Sequence, residues 1–324
     1  MKAVWKSKFL WIALIGWILA GITAMGQPAI AAEIEGKLPV FIAGSLTVPF
    51  KAVTKAFNQK YPKVDVLIEG GGSATTIRKV TELKREGGVI GSADYKIVPK
   101  LMFPDYADWY IIFASNQMVL CYTEKSKFAK EITAGNWFEI LQKNGVTYGR
   151  SDPDQDPCGY RTLMVWQLAE KHYGIAGIYG KLFGAKGDTM RAKSVDLIAL
   201  LQSGDLDYAF EYDSVAKQHG LKYVQLPERI NLSSARHEAF YAQAKVSIKG
   251  KKPGEKIELT GEPILYAVTI PKNYSDQKKA LSFVEFLLSD EGIKAMEATG
   301  QTAVRPAVAS DKGKLPAALQ KYVQ

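Results

Sequence analysis

Ala43-Gly44-Ser45-Leu46-Thr47 and Gly70-Gly71-Gly72-Ser73-Ala74-Thr75 each place a serine where a strand ends and an amphipathic helix begins. The first four N–H groups of a helix have no internal partner, and the aligned peptide dipoles leave about half a positive charge there. A serine beside those amides offers donors to an anion, and two such ends can grip one tetrahedral oxyanion. Serine is also a preferred helix cap, so either stretch alone reads equally as ordinary capping. The junctions themselves predict an α/β protein with its ligand at the carboxyl ends of the strands.

The alternation continues along the chain. Residues 64–68 read as a strand, 75–84 as a helix with Ile77, Val80 and Leu83 on one face, and 110–122 as a long apolar stretch. Strands are predicted over 146–148, 207–212, 223–226 and 263–270, and helices over 161–172, 195–201, 214–219, 280–288 and 293–298. Strands separated by helices predict parallel sheets. The lysine-rich stretch around Gly250-Lys251-Lys252-Pro253-Gly254 reads as an exposed hairpin tip.

Residues 1–32 read as a cleaved export signal: Lys2, Lys6 and Lys8, an uncharged apolar run over 9–20, then Pro28-Ala29-Ile30-Ala31-Ala32 as a small-residue cleavage site. Residues 9–25 carry no charge and are nearly long enough to span a bilayer, so an uncleaved anchor is the alternative. Cleavage predicts a soluble protein in the periplasm or at the extracellular face. Losing those three lysines takes the formal net charge from +9 to +6. Lys and Arg are interspersed with Asp and Glu, which favours small anions and argues against nucleic acid. Cys121 and Cys158 are the only cysteines, and nothing local forces them to pair. His172, His219 and His237 lie far apart in sequence, and no zinc-type Cys/His spacing occurs.

The acidic segment Ser151-Asp152-Pro153-Asp154-Gln155-Asp156-Pro157-Cys158-Gly159-Tyr160-Arg161 separates a strand from a helix. Its alternating aspartates invite a calcium-loop reading, which fails because the sixth position is Pro157 instead of glycine and the twelfth is Leu163 instead of glutamate. No nucleophile–base pair and no G-x-S-x-G elbow accompanies the carboxylates. A plain turn, with Asp152 and Asp154 holding backbone amides and Asp156 capping the next helix, also accounts for the segment.

Phe41-Ile42-Ala43-Gly44-Ser45-Leu46-Thr47, Gly72-Ser73 with Ile77 to Leu83, Ser92-Ala93-Asp94-Tyr95, Ser151-Asp152-Pro153 to Tyr160-Arg161, and Phe210-Glu211-Tyr212-Asp213-Ser214-Val215-Ala216 occur in order. In these stretches the chain resembles the periplasmic solute-binding proteins that deliver tungstate and molybdate to ABC transporters. The resemblance implies a two-lobed periplasmic-binding fold of type II, with ligand in the cleft between the lobes. One lobe is expected over 38–121 plus 266–324 and the other over 122–265, with hinge strands at 120–123 and 265–267. It further implies that Ser45 and Ser73 donate to the oxyanion, that Tyr212 adds a contact near its oxygens, and that Asp156 and Glu211 give carboxylate oxygens to its metal. Asp156 is chosen over its neighbours because it immediately precedes Pro-Cys-Gly, where molybdate binders of the wider family carry an apolar residue before Pro-Ala-Gly. The implied protein is a monomer and no enzyme, with no cofactor, whose partners are the oxyanion and the permease and ATPase of a transporter.

A carboxylate facing a dianion is an apparent electrostatic error, since like charges about 4 Å apart repel by roughly 1 kcal/mol even in water. A hexavalent metal reverses the local field, and tungsten or molybdenum can expand from four oxygens to six. The same carboxylates would repel sulfate and phosphate. The rival readings are a phosphate or sulfate binder and, from another class, a secreted hydrolase using Asp156 and Glu211 as an acid–base pair.

Overall fold

The structure, a computed structural model, describes residues 34–250, 252 and 254–324, which form one compact unit. The expected export signal lies outside the described residues. Two sheets and a hairpin organise the chain. The first sheet has the order β13 (Thr302–Ala309), β4 (Ile111–Ser115), β12 (Leu265–Thr269), β3 (Val89–Ser92), β1 (Gly36–Ala43) and β2 (Val64–Gly71). The second runs β7 (Asp188–Arg191), β6 (Tyr148–Ser151), β8 (Tyr208–Tyr212), β5 (Met118–Tyr122) and β9 (Lys222–Gln225). β10 (Lys245–Lys249) pairs antiparallel with β11 (Lys256–Thr260), as a hairpin there requires, and Lys251 and Pro253 of the expected tip lie outside the described residues.

The expectation of parallel sheets holds only in part. β1 is parallel to β2 and β3, and β6 to β7 and β8, but β4, β12 and β13 pair antiparallel, as do β5 with β8 and β9. The physical reason is the path between sheets. The long apolar stretch over 110–122 is two strands that leave one sheet and enter the other with no intervening crossover helix, whereas the return from β9 to β12 passes through the short helix Glu238–Tyr241 and the β10–β11 hairpin. The first crossing falls at Asn116 and Gln117, so Met118 to Cys121, expected in the first lobe, pair in the second sheet, where Met118 stands opposite Tyr212 and Val119 opposite Glu211. The two crossings touch, the Asn116 N–H donating to the Ile264 carbonyl at 3.1 Å.

Each sheet carries its own helices. Phe50 and Phe57 on the helix Thr47–Lys60 pack on Phe283 and Phe286 of the helix Gln277–Leu288, with ring centroids 5.2–6.0 Å apart. The helix Pro157–Tyr173 has twelve of its 17 residues buried, so it is enclosed on nearly every side, with Trp166 edge-on to Phe210 of β8 and to Tyr148 of β6. Gly159 belongs to that enclosure: a Cβ there would sit 2.3 Å from the Ser151 carbonyl oxygen. Cys121 and Cys158 are both buried and unbonded to each other.

The parallel strands bring the serine junctions to one edge. Ala43 stands opposite Gly71 and Ile42 opposite Gly91, so β1, β2 and β3 end side by side. The second half meets this edge through the acidic segment: the Ala74 N–H donates to the Gln155 carbonyl at 3.2 Å, and a Cβ on Gly72 would sit 2.1 Å from that same oxygen. Gly72→Ala is expected to hold the two halves apart, seen as a larger radius of gyration in small-angle scattering than Gly135→Ala, whose Cβ has only Thr133 Oγ1 at 3.9 Å. Equal radii would show that the approach at Gly72 yields without cost.

Candidate functional site

Neither serine is an ordinary cap. Ser45 lies inside the 3-10 turn Gly44–Leu46, and the helix after it begins at Thr47 with no side-chain cap. Ser73 is the first residue of the helix Ser73–Thr81, whose capping position is Gly72. The two hydroxyls instead accept hydrogen bonds from behind: Ser73 Oγ from the Ala93 N–H at 3.0 Å, and Ser45 Oγ from the Tyr266 hydroxyl at 3.1 Å. Both serines are buried.

Asp156 caps the helix Pro157–Tyr173, its Oδ1 accepting from the Cys158 N–H at 3.1 Å, while Oδ2 accepts from the Ser194 N–H at 2.8 Å. Its Cβ lies 3.2 Å from the position a Cβ on Gly72 would take, which sets the carboxylate against the serine edge. The neighbouring aspartates do other work. Asp152 accepts from the Asp154 N–H and the Gln155 side chain, and Asp154 accepts from the Lys249 N–H on the hairpin. Of the three, Asp156 is the one whose Cβ approaches this edge, at Gly72.

Glu211 is fully buried on β8, where one oxygen accepts from the Tyr212 N–H at 3.3 Å and Oε1 has no hydrogen bond among the described residues. Burial pushes its carboxyl up to about 8, and the nearby Asp156 charge adds to the rise. Burial likewise pushes Asp156 up to about 6, against the pull of the Ser194 and Cys158 amides. No ion pair to either carboxylate occurs among the described residues. Two acids share a low-dielectric space, where the Arg161 charge draws Asp156 down without forming an ion pair to it.

Tyr212 completes the sequence-expected set. Its hydroxyl accepts from Arg161 Nη1 at 2.8 Å, and its ring lies edge-on to Tyr266 at 5.8 Å. All five expected residues therefore belong to one connected region. Ser45 reaches Tyr212 through Tyr266, Tyr212 reaches Ser73 through Arg161 and Ala93, and Asp156 lies beside Gly72 and Glu211.

Sequence reasoning missed the groups behind these residues. Arg161 is buried, donates to the Ala93 carbonyl at 2.6 Å and lies 3.6 Å from Asp94, so one guanidinium ties the second half to the turn after β3. Tyr160 hydrogen-bonds the same Asp94 carboxylate. The Tyr160-Arg161 dipeptide stood in the sequence as the one basic residue inside an apolar helix face, and its burial was the available signal. Asn116 was marked only as a polar residue inside an apolar stretch, and Ser194 and Tyr266 carried no such mark.

The chain matches the family described as bacterial extracellular solute-binding protein over residues 38–302. An uncharacterized solute-binding protein of Petrotoga mobilis is 45% identical over 326 residues, 100% of this chain and 98% of that one. The molybdate/tungstate-binding protein WtpA of Pyrococcus abyssi is 37% identical over 339 residues, 96% of this chain and 95% of its own. Among solved structures, the periplasmic molybdate-binding protein of Azotobacter vinelandii has a TM-score of 0.60 at 18% identity, covering 82% of this chain and 98% of that one. The sulfate-binding protein SubI of Mycobacterium tuberculosis H37Rv has a TM-score of 0.60 at 14% identity, covering 83% and 88%. Both structures share the two-lobed periplasmic-binding fold, which by itself fixes no ligand.

The raised Glu211 carboxyl has a sign that can be measured. An acid whose folded pKa lies above its unfolded value keeps its contribution below the unfolded pKa, near 4.5, and loses it as pH rises through about 8. Thermal melts without oxyanion are expected to show Glu211→Gln gaining on the wild type steadily from about pH 5 to about pH 8.5. A melting difference that stays flat over that window would place Glu211 in a solvated setting.

Proposed function

The chain belongs to the bacterial extracellular solute-binding proteins, and on that footing we propose that it captures molybdate or tungstate between its two lobes for delivery to an ABC-transporter permease. The observation that carries this reading is the buried pair Asp156 and Glu211, to which no ion pair forms among the described residues, set in one connected region with buried hydroxyls that accept from the protein behind them. Hydroxyls and helix-end amides suit oxo groups, whereas two carboxylates suit an electrophilic metal. A molybdenum or tungsten oxyanion presents both, and sulfate presents only the first. The name of the Pyrococcus abyssi relative, with nearly full coverage of both chains, supports the same ligand class.

On this reading Ser45, Ser73 and Tyr212 donate to oxo groups, and Asp156 and Glu211 each supply an oxygen to the metal. Glu211 Oε1 is the freer of the two ligands, because both Asp156 oxygens already hold amides. Those amides orient Asp156 without using all of its lone pairs. Ligand bridging the serine edge and the acidic segment stabilises the closed arrangement, the form a permease would recognise. No bond is made or broken, in keeping with the relatives, which are named as binding proteins and not as hydrolases.

Purified protein is expected to gain a large thermal shift from tungstate or molybdate that sulfate and phosphate at the same concentration do not reproduce. A sulfate shift as large as the tungstate shift would sink the carboxylate mechanism. Ser45→Ala and Ser73→Ala should each weaken tungstate binding in calorimetry by about 1.5–3 kcal/mol, the range for a hydrogen bond to a charged group, with little change in melting temperature. Full affinity in both variants would remove the serines from the site.

A further inference from the structure

Hydroxyl groups both give and accept, so a site built on them is committed to an anion only if something forces each proton toward the ligand. Behind Ser73 stands the Ala93 N–H, and behind Tyr212 stands the Arg161 guanidinium, neither of which can accept. Behind Ser45 stands another hydroxyl, that of Tyr266, which could in principle run either way.

Asn116 removes that freedom. Its Oδ1 accepts from two backbone amides, Gln117 at 3.0 Å and Ser214 at 3.3 Å, which fixes the orientation of the side-chain amide. Nδ2 is therefore the group facing the Tyr266 hydroxyl at 3.0 Å and Ser214 Oγ at 2.7 Å. The Tyr266 oxygen accepts from Nδ2, its proton goes to Ser45 Oγ, and the Ser45 proton is left to point away from Tyr266. All three side chains are buried.

We infer that Asn116 and Tyr266, at the two crossings between the lobes, are positioning residues that force the Ser45 hydroxyl to donate to the ligand. The inference rests on the oxyanion reading above and adds a direction to one of its hydrogen bonds. Neither residue needs to touch the ligand. The two crossings are joined by the Asn116 N–H and the Ile264 carbonyl, and the relay is oriented by the Gln117 and Ser214 amides.

Asn116→Asp reverses the relay with almost no change of shape. The carboxylate still accepts from the Gln117 and Ser214 amides, but its second oxygen takes the Tyr266 proton. The Tyr266 oxygen then accepts from Ser45, whose lone pairs face the ligand. The test is a double-mutant cycle on tungstate affinity in the full chain, with Ser73→Ala as the control and thermal melts to check folding. Ser45→Ala is expected to weaken binding at least about tenfold in the wild-type background and not at all in Asn116→Asp, while Ser73→Ala weakens binding equally in both. In Tyr266→Phe, Ser45→Ala is expected to cost less than in the wild type. An equal Ser45→Ala loss in all three backgrounds overturns the inference while leaving the oxyanion reading intact. Absence of tungstate binding in the wild type overturns the oxyanion reading instead, and neutron diffraction of the deuterated protein then decides the relay alone. A deuteron on Tyr266 directed at Ser45 Oγ supports it, and one on Ser45 directed at Tyr266 overturns it.

Discussion

Two neighbouring carboxyls buried without an ion pair are the constraint around which this molecule is arranged. Arg161, Asp94, Asp156 and Glu211 are among the ionisable groups buried where its halves meet. Arg161 lies 3.6 Å from Asp94, with Tyr160 donating to Asp94 and Tyr212 accepting from Arg161 Nη1, while Arg161 Nη2 has no hydrogen bond among the described residues. Asp156 and Glu211 have backbone amides and, for Asp156, only the more distant pull of Arg161. Taking a carboxylate out of water without a partner is costly, and the usual response is to hold a proton, which is what the raised values of both groups express. The apolar cluster of Val119, Leu197, Leu201 and Ala209, on the same face of β8 as Glu211, keeps water from relieving that cost. The pair is stable only when protonated or when something strongly electrophilic is brought to it.

That arrangement was half visible in the sequence. The strand-to-helix serines were legible because local chemistry marks them: a small residue, glycine before it, and an apolar run ahead. Their bland reading as caps fails for a reason the sequence did not contain, since the donors to their oxygens come from Ala93 and Tyr266, 20 and 221 positions away. The helix over 161–172 was found, yet it starts earlier, at Pro157, because Asp156 caps it and proline suits the first turn. Short strands such as β3 and β7, of four residues each, gave no periodic signal and exist through their sheet partners. The helix expected over 293–298 starts earlier, at Asp290, because Ser289 caps it.

The relocated lobe boundary illustrates a limit of patterning. Residues 110–122 are mostly apolar, and periodicity cannot say where one strand stops and another starts within such a run. Ser115, Asn116 and Gln117 are the interruption, and Asn116 and Gln117 are the crossing. A polar residue inside an apolar stretch is expensive unless its groups are satisfied, and Asn116 satisfies its own by holding amides on one side and hydroxyls on the other. Its place in the sequence was thus a structural signal whose meaning depended on partners from Ser214 and Tyr266.

The fold shared with molybdate and sulfate binders explains the placement of the donors but not the carboxylates. Parallel strands ending at one edge, each followed by a helix, make a donor-lined cleft on which any small oxyanion could settle. Adding Glu211 to such a cleft is destabilising for every ligand that is only negative, and for the empty protein near neutral pH. It becomes favourable with one class of ligand, in which a shell of oxygens surrounds a centre able to accept two more. On the proposed reading the same residue would narrow the ligand choice and tie capture to closure. Its carboxylate sits on the second sheet, the serines sit on the first, and a ligand that satisfies both must hold the two halves together.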